Sequence, residues 1–173
     1  MRGQIGLEQI VTTILFISIV GYVFFRVFSY EPLFISNIER ENLLSYAYQV
    51  SEILLKDPGY PTNWDEEYVL NGIESVKRIG LVEESLNKSN LLSFEKMGNL
   101  SEICTANYNY LKKIFGNNDI TIIFLDERGN YIFDACKPPR LPPSNSINIT
   151  RIFSYKIGNQ RMIGKMIIGV WET

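Results

Sequence analysis

The first residues of the chain raise a chemical question, because a carboxylate stands inside an apolar stretch. The sequence opens MRGQIGLEQIVTTILFISIVGYVFF, and Glu8 is the only charged residue between Arg2 and Arg26. A carboxylate at the centre of a membrane-spanning helix costs roughly 2.5 kcal/mol or more, and less near a helix end. Glu8 therefore needs either a compensating partner or water at a membrane interface.

Residue types that carry catalysis are scarce elsewhere. The chain has no histidine, which excludes His-based acid/base catalysis, Ser-His and Cys-His dyads, and histidine metal sites. Cys104 and Cys136 are too few for a cysteine-only zinc site, but they suffice for one disulfide in an oxidising compartment. Two buried free thiols are the alternative. With no phosphate-binding loop or catalytic triad in the sequence, we expect neither an enzyme nor a cofactor.

Length and charge limit the class of protein. A chain of 173 residues can form one domain plus an anchor, but hardly two full domains. The net charge of −2 and the absence of a Lys/Arg run argue against a nucleic-acid partner, which would select a basic surface.

The N-terminal segment predicts a helix that crosses a membrane. Residues 10–25 carry no charge, and with their neighbours they reach across ~30 Å of hydrocarbon at ~1.5 Å per residue. Arg26 can extend its charge to the headgroups, and Tyr22 and Tyr30 are residue types that suit the interface. The alternative, a buried core helix, is disfavoured because the segment is apolar on all faces.

The charges that flank this segment predict its orientation. Arg2 and the α-amino group precede it, whereas Glu31, Glu39 and Glu41 follow. The positive-inside rule then keeps the N-terminus in the cytoplasm and sends the rest of the chain outward. A cleaved secretory signal is disfavoured, since the stretch after the apolar run, RVFSYE, lacks a small-residue cleavage site.

The stretch RGQIGLE at residues 2–8 resembles the processing site of archaeal type IV pilin-like proteins, which carry class III signal peptides. In that family a membrane aspartic protease, the prepilin peptidase, cuts after a glycine that precedes a glutamine. The resemblance implies a leader of residues 1–3 and cleavage between Gly3 and Gln4. It places Glu8 at the fifth mature position, where type IV pilins carry a glutamate, and it implies assembly with other pilin-like subunits through the N-terminal helix.

This placement offers a physical role for the carboxylate. Cleavage would free an amine at Gln4, which shares a helix face with Glu8 and lies about 6 Å away along the axis. In stacked subunits Glu8 could pair with a neighbour's amine, while a wrong register would leave both charges stranded. The alternative is a glutamate exposed to headgroup water.

The next part of the chain predicts a stalk. Leu43, Ala47, Val50 and Leu54 recur at helical spacing, and KDPGYP at residues 56–61 should end the helix. We therefore assign residues 4–57 to a transmembrane and stalk helix, and residues 58–173 to an extracytoplasmic head. Trp64 beside this turn either fills the underside of the head or stacks on a carbohydrate.

The head should be α+β, with a C-terminal antiparallel sheet of the kind found in pilin-like subunits. A helix is predicted over Leu100–Phe115, capped by Asn99, and strands follow at 120–125, 131–135, 147–157 and 161–172. The sequence also contains N-x-Ser/Thr sequons. Asn87 and Asn148 are candidate glycosylation sites, and Asn99 is disfavoured by its expected role as a cap.

Together these features predict a membrane-inserted pilin-like subunit, most consistent with a minor pilin, that joins a surface filament after processing. Its partners would be membrane lipid, the prepilin peptidase and other pilin-like subunits. The alternative is an uncleaved, single-pass extracytoplasmic binding domain.

Overall fold

The computed structural model describes residues 2–83, 90–138, 142–143, 146–158 and 160–172. The side chains of residues 2–5, 31–34 and 135 lie outside this description. The chain divides into two compact units, Met1–Glu41 and Asn42–Thr173, and we call the second the head unit. The boundary between the units lies within a helix that continues to Lys56. The last turns of this helix therefore belong to the head unit.

Helix α1 runs over Arg2–Lys56 and ends where the sequence predicts, before Pro58. In the first unit its described side chains are exposed, apart from the half-buried Val20. In the head unit the predicted positions Leu43, Ala47, Val50 and Leu54 are all buried. The helical spacing of these four residues therefore does mark the face of α1 that packs on the core.

Short elements follow α1 in the head unit. Strand β1 (Gly59–Tyr60) pairs antiparallel with β2 (Arg78–Ile79), and between them lie helix α2 (Trp64–Asn71) and a 3₁₀ turn (Ile73–Ser75). No pattern in the sequence predicted β1 and β2, because two-residue strands are too short to show an alternation of apolar and polar residues.

Helix α3 spans Phe94–Ile114 and is longer than the predicted Leu100–Phe115. Its N-cap is Ser93, whose hydroxyl accepts the backbone N–H of Lys96 at 3.3 Å. The prediction that Asn99 caps this helix is therefore wrong: Asn99 lies inside α3, because Ser93 supplies the acceptor six residues earlier. The backbone of Asn107 departs from helical geometry and kinks α3.

A five-stranded sheet completes the head unit, with strand order β3-β6-β7-β4-β5. Its members are β3 (Leu91–Leu92), β4 (Asp119–Asp126), β5 (Tyr131–Cys136), β6 (Ile147–Ile157) and β7 (Gln160–Trp171). The four long strands are antiparallel as predicted, but β3 joins β6 in parallel, so the sheet is mixed. The α+β class with a long apolar N-terminal helix is confirmed.

The core of the head unit lies on one face of this sheet. The side chains of Ile120, Ile122 and Phe124 on β4 alternate with half-buried neighbours, and they pack with buried residues of α1 and α3. We call this the inner face of the sheet and the opposite one the outer face. Packing of the described residues on this one face explains the alternating pattern by which the sequence predicted β6. Strand β4 was predicted instead from its apolar, β-branched run.

Candidate membrane-spanning and assembly helix

The first part of α1 is the candidate functional site, since its described large apolar side chains are exposed. From Leu7 to Tyr30 these side chains are between 47% and 70% exposed, apart from Val20. Among the described residues, α1 is the one helix long and apolar enough to cross a membrane. So large an uncovered apolar surface needs lipid or protein around it.

The hydroxyl groups of this segment bond within the helix itself. Thr12, Thr13, Ser18 and Ser29 each donate to the backbone carbonyl four residues earlier, at 2.7–2.8 Å. A hydroxyl moved out of water without a hydrogen bond costs free energy, and this local bond removes that cost. These four polar residues therefore fit an apolar environment.

The charge of Arg26 is held between two tyrosines one helical turn away on either side. Its Nε donates to the Tyr22 hydroxyl at 3.0 Å, and its Nη1 donates to the Tyr30 hydroxyl at 3.2 Å. The guanidinium also lies 5.6 and 5.9 Å from the two ring centroids. Such contacts stabilise a cation at the boundary between hydrocarbon and water.

Glu8 stands apart from these internally satisfied groups. Its side chain is exposed, and within the described part of the chain its carboxylate has no hydrogen bond or ion pair. Arg26 of the same chain cannot neutralise it, because eighteen residues of ideal helix separate the two by about 27 Å. Any charge that pairs with Glu8 must come from the chain's first residues, from another molecule or from solvent.

The predicted processing site lies on the same helix. Gly3 and Gln4 are part of the backbone of α1, while the side chains of residues 2–5 are outside the described set. Cleavage between them stays a prediction, as does the role of Glu8 in assembly.

The last turns of α1 are fixed to the sheet of the head unit by Arg151 on β6. Its guanidinium pairs with the Glu52 carboxylate, donates to Ser51 Oγ at 3.1 Å and lies over the ring of Tyr48. Because Arg151 and Glu52 are 99 residues apart in sequence, no local pattern could have indicated this pair.

The two cysteines are joined in the structure. A disulfide connects Cys104 on α3 to Cys136 at the end of β5, with their Cα atoms 5.1 Å apart. Both residues are almost fully buried. The bridge therefore fixes α3 to β5, which is an edge strand of the sheet.

The remaining sequence candidates are dispersed over the molecule. Asn148 is exposed on β6, whereas Asn87 lies outside the described residues. Trp64 is fully buried, and its indole N–H donates to the carbonyl of Gly80 at 2.7 Å. Trp64 is thus a core residue of the head unit. It presents no exposed face on which a carbohydrate could stack, and the second of the two sequence interpretations required such a face.

Sequence reasoning missed Lys96, which is a buried cation at the start of α3. The residue is 6% exposed, and its Nζ donates to the carbonyls of Pro58 at 2.8 Å and Thr62 at 2.6 Å. A longer contact of 3.4 Å reaches the carbonyl of Val82. A lysine near a helix start normally reads as a solvated surface residue, so no signal in the sequence pointed to this role.

The fold and the site define a class of protein: an α+β head unit that follows a long, exposed, apolar N-terminal helix able to cross a membrane. No known protein family, curated protein or solved structure matches the chain.

Proposed function

We propose that this protein is a membrane-inserted, type IV pilin-like subunit of the minor class that assembles through its N-terminal helix into a surface filament. In this proposal the prepilin peptidase cuts between Gly3 and Gln4, and the apolar helix stays on the mature chain. The helix starts in the cytoplasmic membrane with its N-terminus inside and the head outside. The protein is structural and catalyses no reaction.

The carboxylate of Glu8, which has no partner among the residues that the structure describes, carries this proposal. The hydroxyls and the guanidinium of the same segment are already bonded within the helix, so they fit either lipid or a protein interior. Glu8 differs from them, because its charge needs a partner supplied from outside the described part of its own chain. The freed amine of a neighbouring subunit's Gln4 has the opposite charge and would fix the register between two helices.

The exposed apolar surface of α1 supports the same assignment. A helix that is apolar on every side can move from lipid into a bundle of identical helices, because both environments are apolar. A permanent single-pass anchor needs the apolar surface but has no use for a carboxylate within it. The competing function, an uncleaved and tethered binding domain, therefore accounts for the apolar surface but not for Glu8.

N-terminal mapping of the protein from native membranes tests the proposal. We expect intact mass and terminal peptides to give a mature chain that begins at Gln4, and a Gly3→Val variant to retain residues 1–3. The matched control is Gly21→Val in the same helix, where an added side chain meets nothing within 4 Å. The control should be processed like the unaltered protein.

A second variant separates processing from assembly. A Glu8→Gln chain should still insert in the membrane, but neighbouring chains should crosslink through their N-terminal helices far less than in the unaltered protein. A native chain that still begins at Met1 or Arg2 would overturn the proposal in favour of the tethered domain. Unchanged crosslinking in Glu8→Gln would remove Glu8 from the assembly role.

A further inference from the structure

The outer face of the sheet carries apolar side chains that nothing in the described part of the chain covers. Cross-strand pairing places residues of β4, β5, β6 and β7 side by side on this face, because partners in a ladder point to the same side. Tyr131 is 70% exposed, Ile152 67% and Ile163 54%. Ile123, Leu125 and Ile167 are half-buried beside them. The exposed Lys165 lies between Ile152 and Leu125 on the same face, so the apolar side chains surround one charge.

The sequon at residues 148–150 lies on this same face. Asn148 and Thr150 are both exposed, because residues two apart on a strand point to the same side. Asn148 is opposite Gly169, and Thr150 is opposite Ile167. The acceptor amide and the hydroxyl that defines the sequon therefore stand next to each other, at the edge of the apolar patch.

Gly169 leaves room for the amide of Asn148 on the sheet surface. A Cβ at residue 169 would lie 2.5 Å from Asn148 Oδ1 and 2.6 Å from Thr121 Cγ2. Because glycine has no side chain, the amide leans over β7 toward β4 instead of away from the sheet. A group attached to this amide would start above the outer face.

The strand that carries Asn148 is also accessible from its side. Within the described residues β6 pairs with β3 only at Ser154 and Tyr155, so the N-terminal half of β6 has one unpaired edge. The sequon at Asn99 contrasts with this, since Asn99 and Ser101 lie inside α3. The Ser101 hydroxyl there points toward the carbonyl of Asp134, at 3.4 Å.

We propose that Asn148 carries an N-linked glycan that covers the apolar outer face of the head sheet. In the transfer step the amide nitrogen forms a bond to the anomeric carbon of an oligosaccharide carried on a lipid phosphate. The bond from that carbon to the carrier's phosphate oxygen breaks, the phosphate keeps the electron pair, and the amide loses one proton. The inference rests on the outward orientation of the head in the proposed function.

The glycan explains why an extracytoplasmic head tolerates this face. Sugar rings can pack their C–H surfaces on Ile152 and Ile167 while their hydroxyls face water. Without such a cover, two outer faces would bring exposed isoleucine and tyrosine side chains together, because exposed apolar surface favours association. The glycan therefore acts as a shield that keeps heads from associating through this face.

Peptide mass mapping of the protein from its native host tests the modification. We expect a glycan mass on the peptide that contains Asn148, and its loss in both Asn148→Gln and Thr150→Ala. The matched control is Thr150→Ser, which keeps the sequon at the same position and should keep the glycan. Asn87→Gln should leave the mass at Asn148 unchanged.

The state of Cys104 and Cys136 in the same sample separates two kinds of failure. An unmodified Asn148 on a chain with an intact disulfide would overturn the glycan and leave the outward orientation standing. An unmodified Asn148 beside free thiols would overturn the orientation as well, and with it the proposed function.

The shielding role has its own readout. The Thr150→Ala protein should self-associate in detergent at least several-fold more strongly than Thr150→Ser, and adding Ile152→Lys should reverse this. A glycan whose loss leaves self-association unchanged would overturn the shield while keeping the modification site.

Discussion

The buried ammonium of Lys96 offers a sharp test of how the head unit is held together. Its Nζ joins the segment between α1 and α2, at Pro58 and Thr62, to the start of α3. A Lys96→Met substitution keeps a flexible side chain of similar length but removes the charge and its three donors. It therefore isolates the hydrogen bonds from the packing.

The magnitude follows from the two short bonds. Hydrogen bonds to a charged group contribute roughly 1.5–3 kcal/mol each, so losing those to Pro58 and Thr62 costs about 3–6 kcal/mol. The 3.4 Å contact to Val82 adds little. Burying methionine rather than an ammonium recovers part of this loss, because the desolvation penalty disappears. We expect a net loss of about 2–4 kcal/mol, which lowers Tm by roughly 5–15 °C.

Denaturant unfolding of the full chain in detergent, followed by tryptophan fluorescence, measures this change. Trp64 is a suitable reporter because its buried indole bonds to Gly80 in the same region. The matched control is Lys113→Met on α3, where the side chain is exposed and the expected change is within about 0.5 kcal/mol. Equal stability of the two variants would refute the reasoning that Lys96 fastens these segments.

Three further predictions concern the same unit. Replacing Cys104 and Cys136 by serine should destabilise the head unit by about 4 kcal/mol in thermal unfolding, because the bridge closes a loop with a sequence separation of 32. Burial raises the pKa of Tyr108 above its ordinary 10.0, so the folded state keeps a proton that the unfolded state releases. Stability should fall as pH rises above 10, and in Tyr108→Phe this fall should be smaller. Trp64→Ala should cost about 3–5 kcal/mol in denaturant unfolding, since it removes a fully buried side chain.

Each of these has an outcome that contradicts it. Equal melting temperatures for the oxidised protein and the double serine variant would show that the bridge adds nothing to stability. An alkaline loss of stability that is the same in Tyr108→Phe would assign it to other groups. A Trp64→Ala protein that unfolds like the unaltered one would place that residue outside the core.

The sequence predicted those features whose cause is local. The length and apolarity of α1, its end before Pro58 and its buried positions from Leu43 to Leu54 all follow from composition and helical spacing. Strand β6 was recognisable by its alternating pattern, because its sheet packs on one face. Strand β4 was recognisable by a β-branched apolar run, and β5 and β7 by the turns that precede them. The motif at Gly3, Gln4 and Glu8 remains a prediction that rests on resemblance and on the physics of a charge in an apolar segment.

Other features needed the tertiary structure, because their partners are distant in sequence or too short to form a pattern. Helix α3 begins at Phe94 rather than at the predicted Leu100, because Ser93 caps it. Strand β3 has two residues and is too short to show a pattern in the sequence. Lys96 and Arg151 are ordinary surface residues by type, and only the folded chain brings backbone carbonyls and Glu52 to them. The sequence by itself therefore determined an apolar helix followed by an α+β head. The tertiary structure decided which polar groups are buried together, because burial depends on segments that meet only after the chain has folded.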